Sequence, residues 1–173
     1  MDELVALLKH HPEDTEIGRL ITATEASACI DLDKDAQLLM GVWELRWSSA
    51  KQPWLRQAAW LENLQVLCPE TQRGLNLLRL AGPLGATAAI TVEAELSIEL
   101  PNRVGVRFCR GGWRGPVIPG SQRLELMKTL NQSFPAWLDI TALTSNLRIC
   151  RGNAGTTFAL LKRNDLAVSD FLA

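Results

Sequence analysis

Tyrosine is absent from this chain of 173 residues, histidine occurs twice, and no two of the four cysteines form a Cys-x-x-Cys pair. Each shortage removes a class of function. His10 and His11 are adjacent and lack a third ligand at metal-site spacing, so no metal centre is expected. Cys29, Cys68, Cys109 and Cys150 lie far apart in apolar neighbourhoods and read as buried free thiols. Surplus charge is also missing: 18 Lys and Arg face 19 Asp and Glu, a net charge of -1. Nothing in that overall field draws a nucleic acid or an anionic membrane, so no nucleic-acid partner is expected. No stretch approaches the roughly 20 continuous apolar residues of a membrane span. The start, MDELVALLKHHPED, is acidic where a secretory leader is basic and then apolar. The expectation is a cytoplasmic protein, with peripheral membrane contact left open.

What the chain does have is 47% hydrophobic residues, enough for a single domain with a real core. Residues 1–40 read as a helical segment that packs against the rest of the domain. Leu4, Leu7 and Leu8 keep helical spacing before Pro12; Ile17, Leu20, Ile21 and Thr24 repeat it; Asp33 can cap a third helix over 34–39. From residue 41 the period changes to two. Trp43, Leu45 and Trp47 alternate with Glu44 and Arg46, which puts the two tryptophans on one face of a strand. Residues 53–60 read as a connection of one or two helical turns, followed by strands over 61–68 and 74–80 about a turn at Pro69-Glu70-Thr71.

The clearest pattern is AAITVEAELSIEL, residues 88–100, where Ile90, Val92, Ala94, Leu96, Ile98 and Leu100 alternate with polar residues without error. That is a long antiparallel strand, dry on one face and wet on the other. Pro101-Asn102 turns the chain, and Val104, Val106 and Phe108 resume the alternation. CRGGWRGPVIPG, residues 109–120, reads as a mobile loop because of its glycines and prolines. Residues 122–130 fit strand or helix, 137–140, 147–150 and 156–161 read as strands, and 164–173 as a tail. Seven to nine strands in meander order predict a mainly β fold over 41–163, an antiparallel closed or nearly closed barrel wide enough for one small apolar ligand. A two-sheet sandwich is the competing architecture.

No catalytic constellation stands out. Arg151-Gly152-Asn153-Ala154-Gly155 lacks the Gly-Lys-Ser/Thr of a phosphate loop and suits a tight hairpin. Alternation puts Leu147, Ile149 and Arg151 on one side and Arg148 and Cys150 on the other, so one arginine faces away from solvent. Tucked against Trp43 at a closed barrel end, it would gain cation–π energy. Asp139 is a candidate partner for an arginine. Glu93, Glu95 and Glu99 have the ordinary spacing of a wet strand face, and Gln72, Arg73 and Asn76 lie around a strand partly polar inward or outward, with a ligand role as the lesser reading. Of six tryptophans, Trp43 and Trp137 read as core, whereas Trp113 sits between Arg110 and Arg114 as a residue of the cavity rim or a membrane interface. Arg107, Arg110 and Arg114 would supply local positive charge there.

Gly41-x-Trp43 with Leu45, together with the ending WLDITAL…LRICRGNAGTTFALLKR, resembles the plastid lipid-associated protein family, also called the fibrillins, in a short form like those of cyanobacteria. The likeness runs from about residue 38 to 163. It implies a lipocalin-like (calycin) barrel that binds an isoprenoid, quinone, carotenoid or other lipid, peripheral to thylakoid membranes and without catalysis. The candidates for a ligand or for the barrel end are Trp43, Trp47, Phe108, Trp113, Asp139, Arg148 and Arg151. An assembly protein with a filled barrel and a protein-binding rim is the alternative, and a calycin-type pigment lyase a third. Asp139, Arg148, Arg151 and Gly152 match the family pattern; Ala142 and Thr144 replace its aromatic and its acid.

Overall fold

The computed structural model describes residues 1–50, 60–82, 89–115, 124–132 and 134–172. Among these described residues three helices, α1 (Asp2–His10), α2 (Ile17–Ser27) and α3 (Leu32–Leu39), precede nine strands. The strands are β1 (Gly41–Ser48), β2 (Leu61–Cys68), β3 (Arg73–Leu80), β4 (Ala89–Glu99), β5 (Arg103–Arg114), β6 (Glu125–Thr129), β7 (Ala136–Leu143), β8 (Leu147–Gly152) and β9 (Thr157–Lys162). All pairings are antiparallel. The order β4-β3-β2-β1-β9-β8-β7-β5 closes on itself through β4 with β5, making an eight-stranded, lipocalin-like barrel, with β6 added to β5 alone. The expected helical turns over 53–60 fall almost wholly outside the described residues, as does Trp54.

Period-two patterning gives each strand an inner and an outer face, and here both faces carry apolar residues. Inside, Trp43, Leu45, Leu67, Leu96, Val104, Ile140, Cys150 and Leu160 form one core with Leu32 and Leu39 of α3. Outside, Ala142, Leu147, Ile149 and Ala159 are covered by Leu4, Leu8, Ile17 and Ile21 of α1 and α2. A third core lies on the opposite outer wall, where Val42, Leu64, Val66, Leu75 and Leu77 pack under Leu166, Val168, Phe171 and Leu172. The C-terminal segment is therefore a cover. Arg163 latches it, pairing with Glu44 (3.2 Å), Glu62 (3.0 Å) and Asp165 (2.7 Å).

Several expectations need correction. A β-bulge at Arg46 sets two residues of β1 against one step of β9, so Trp47 leaves the face of Trp43 and Leu45 and packs with α1 and α2 outside the barrel. The stretch read as a mobile loop is strand as far as Arg114, with 116–120 outside the described residues. Its glycines allow close approach: a Cβ on Gly112 would lie 2.0 Å from the Leu126 carbonyl oxygen of β6. Trp137 is half-buried, with Arg103 4.7 Å above its ring, and is not core. Only Cys150 of the cysteines is buried; Cys29 is exposed and Cys68 and Cys109 are intermediate. Helix α3 begins at Leu32 and is capped by Asp31, which accepts the Asp33 N–H, so Asp33 is not the cap.

Candidate functional site

One end of the barrel is sealed from below by α3, docked through the Leu32 N–H to the Pro101 carbonyl (2.7 Å). The Trp43 indole N–H donates to the Leu39 carbonyl at 2.8 Å, tying the barrel floor to that helix. The guanidinium of Arg148 lies 5.1 Å from the Trp43 ring on one side and the Lys162 ammonium 5.2 Å on another. Arg148 is wholly buried and donates from Nη2 to Gln65 Oε1. Its Nε and Nη1 find no partner, and no carboxylate pairs with it among the described residues. Burial holds the pKa of Arg148 below its usual value, and partial burial that of Lys162 also, because the first charge has lost its water and the second part of it. Guanidinium still keeps its proton at neutral pH. The neighbouring Cys150 thiol is pushed up by the same burial, which makes it a poor nucleophile.

Above this floor the barrel is hollow. A cavity of about 590 Å³ runs to the opposite end, within the range of small-molecule pockets. One wall is apolar: Val92, Ala94, Leu96, Phe108, Leu138 and Phe158. The wall made by β2 and β3 carries Asn63, Gln65 and Asn76, all neutral amides. Among the described residues the lining includes no carboxylate, imidazole, thiol or ammonium group. Asn76 lies inside the barrel yet is solvent-exposed, which is how a side chain in an unfilled lumen behaves.

The far end is apolar and, among the described residues, uncovered. Ile90 of β4 stands directly opposite Trp113 of β5, which stands opposite Leu126 of β6. They are 59%, 39% and 76% exposed, a contiguous stripe across three strands. The wall is incomplete beside it, because β5 leaves β7 after Val106 and joins β6 only at Arg110. Gln132 bridges the fork with its side chain: Oε1 accepts the Phe108 N–H (2.7 Å), and Nε2 donates to the carbonyls of Val106 (3.2 Å) and Phe134 (2.6 Å). No local sequence signal marks that role.

Of the residues predicted from sequence, the structure brings Trp43 and Arg148 together at the closed end and puts Phe108 on the lumen wall and Trp113 on its rim. Asp139 and Arg151 stand elsewhere. Asp139 pairs outside with Arg103 at 2.6 Å, although Arg151 is its neighbour across the strands. Arg151 pairs with Glu25 of α2, whose carboxyl is held below the usual range first by that arginine, with the Thr141 hydroxyl (2.7 Å) assisting. The loop after Arg151 is a hairpin turn with Gly155 at φ 77°, and Asn153 ties it to the Pro135 carbonyl. The charge expected beside Trp113 is neutralised: Arg107 pairs with Glu95, Arg110 with Glu93, and Arg114 with Glu93 and Glu125. Thr144, which stands where the family pattern has an acid, accepts the N–H groups of Leu147 (3.0 Å) and Asn146 (3.3 Å). A hydroxyl thus serves the β7–β8 turn as a carboxylate would.

The family model PAP_fibrillin matches residues 6–161. A relative named probable plastid-lipid-associated protein 12, chloroplastic, from Arabidopsis thaliana is 40% identical over 76 residues. Those residues are 42% of this chain and only 19% of that protein's length. No solved structure matches the chain.

Proposed function

Because the chain belongs to the PAP/fibrillin family, we propose that it binds one apolar or amphipathic small molecule, an isoprenoid, quinone, carotenoid or other lipid, inside its barrel at a photosynthetic membrane. The observation that carries this reading is the hollow lumen with an apolar wall and, among the described residues, an uncovered apolar mouth. Burying a ligand there supplies roughly 25 cal/mol for each Å² of apolar surface removed from water. A barrel packed solid with side chains would favour the assembly role instead. A lyase would need an acid, base or thiol at the pocket, and the described lining provides amides. The stripe Ile90–Trp113–Leu126 suits the interface of a bilayer, where an indole is at home. Since the arginines near it are paired, membrane contact here relies on apolar insertion and should change little with salt.

The test is native mass spectrometry, with an absorption spectrum, of the protein purified from its own source. The expected result is a 1:1 adduct that organic extraction releases as a pigment, quinone or other lipid. A clean apo mass, with no uptake of such molecules from vesicles, would sink the reading in favour of a protein-binding role.

A further inference from the structure

We infer that the lumen selects ligands carrying an uncharged oxygen acceptor, a ketone, ester or quinoid carbonyl, and seats that oxygen on the amide donors of Gln65 and Asn76. This rests on the carrier reading above and adds to it the chemistry of the head group and its place in the barrel.

Gln65 and Asn76 are directly opposed on β2 and β3, and both line the cavity. Opposed residues of an antiparallel pair have side chains about 5 Å apart, close enough for two amides to reach one oxygen. Chemistry fixes the orientation of Gln65. A guanidinium only donates, so the Gln65 atom that Arg148 reaches is the carbonyl oxygen. The Gln65 NH₂ is thereby left for the lumen, where it donates to nothing among the described residues. The Asn76 side chain, on a backbone paired with β2 and β4, likewise makes no hydrogen bond among the described residues.

The electrostatics select the same head group. Arg148 lies beneath the cavity without a counter-ion among the described residues, so the lumen floor is positive. That field repels an ammonium head and favours the negative end of a carbonyl dipole. A carboxylate or phosphate would lose its hydration in the barrel without touching a cation, because Arg148 is not in the lining and reaches it among the described residues through its hydrogen bond to Gln65. The apolar wall opposite holds the ligand body, so the ligand enters head first.

The experiment measures binding of four probes with one C18 chain: the hydrocarbon, the methyl ester, the free acid and the primary amine. In the wild-type protein the ester is expected to bind at least tenfold more tightly than the amine and the hydrocarbon, and more tightly than the acid. Gln65→Glu gives Arg148 a carboxylate partner and removes the donor. It should raise Tm while cutting the ester-over-hydrocarbon preference about tenfold. Asn76→Leu removes no side-chain hydrogen bond among the described residues, so it tests the same preference with the fold's own contacts kept. An ester no tighter than the hydrocarbon, or a preference unmoved by both substitutions, would overturn the inference and leave the carrier reading intact. Failure of even the hydrocarbon to bind would remove the carrier reading itself. A tighter acid would reassign the head group to an anion.

Discussion

Where the closed end of the barrel buries a guanidinium with no carboxylate beside it among the described residues, the open end leaves Ile90, Trp113 and Leu126 in solvent. Either arrangement costs free energy, and the two costs are of different kinds. The buried charge is tolerable because the Trp43 ring and Gln65 replace part of its lost hydration. The exposed stripe is an unmet hydrophobic demand that a ligand or a bilayer can satisfy. The lumen between them joins a polar floor to an apolar mouth, the profile of an amphipathic guest.

Breaking the closed end should have the largest effect. Trp43→Ala removes a fully buried indole that touches α3, Arg148 and Lys162, and is expected to cost about 3–5 kcal/mol in urea unfolding. Next in size, and opposite in sign, is Arg148→Met. Replacing a buried, unpaired charge by an apolar chain of similar length is expected to leave stability unchanged or raise it by about 1–3 kcal/mol. A fall of that size would show instead that the cation–π stack outweighs desolvation.

The outer wall offers a control outside the lumen. Arg163 holds the carboxyl of Asp165 at a pKa of about 2, against an ordinary value of 3.8. A carboxyl depressed on folding stabilises above its unfolded pKa, and that contribution is lost as pH falls from 3.8 towards about 2. Asp165 is 61% exposed, so the loss should be well under about 1 kcal/mol and further reduced by salt. Comparing the acid unfolding of wild type and Asp165→Asn isolates it; a stability gap between the two that is constant above about pH 4 and closes below it is expected. Smallest of all is the open end: Trp113→Ala should change stability by no more than about 0.5 kcal/mol. The same substitution should weaken partition onto neutral vesicles several-fold, as read by sedimentation.

The strands were largely legible in the sequence, and the inside of the barrel was not. Strand β4 shows its alternation plainly, because its outer face is largely wet and its inner face apolar. On β2 the same rule identifies Leu64 and Val66 as dry, yet these lie outside under the C-terminal segment, while Asn63 and Gln65 face the lumen. Strand β8 behaves alike: Leu147 and Ile149 lie under the helices, and the polar Arg148 is inside. A barrel wrapped on its outer surface has two dry faces, so period two reveals a buried face without saying which it is. Bulges add a second obstacle, since one extra residue at Arg46 is enough to turn Trp47 outward. The pairing of Trp43 with an arginine was foreseeable from the alternation of β8; the amides of β2 depended on a tail that carries little pattern of its own.

The central claim, a hollow lumen that takes a guest through its open end, is tested most directly by filling it. Val92 lines the cavity opposite Asn76 and is only partly buried. Native mass spectrometry after incubation with a C18 methyl ester should show a 1:1 adduct on the wild-type protein. The adduct should be lost in Val92→Trp, with Tm kept within a few degrees because the indole occupies empty space. An adduct that survives the filling, or a Val92→Trp protein that cannot fold for lack of room, would contradict the account.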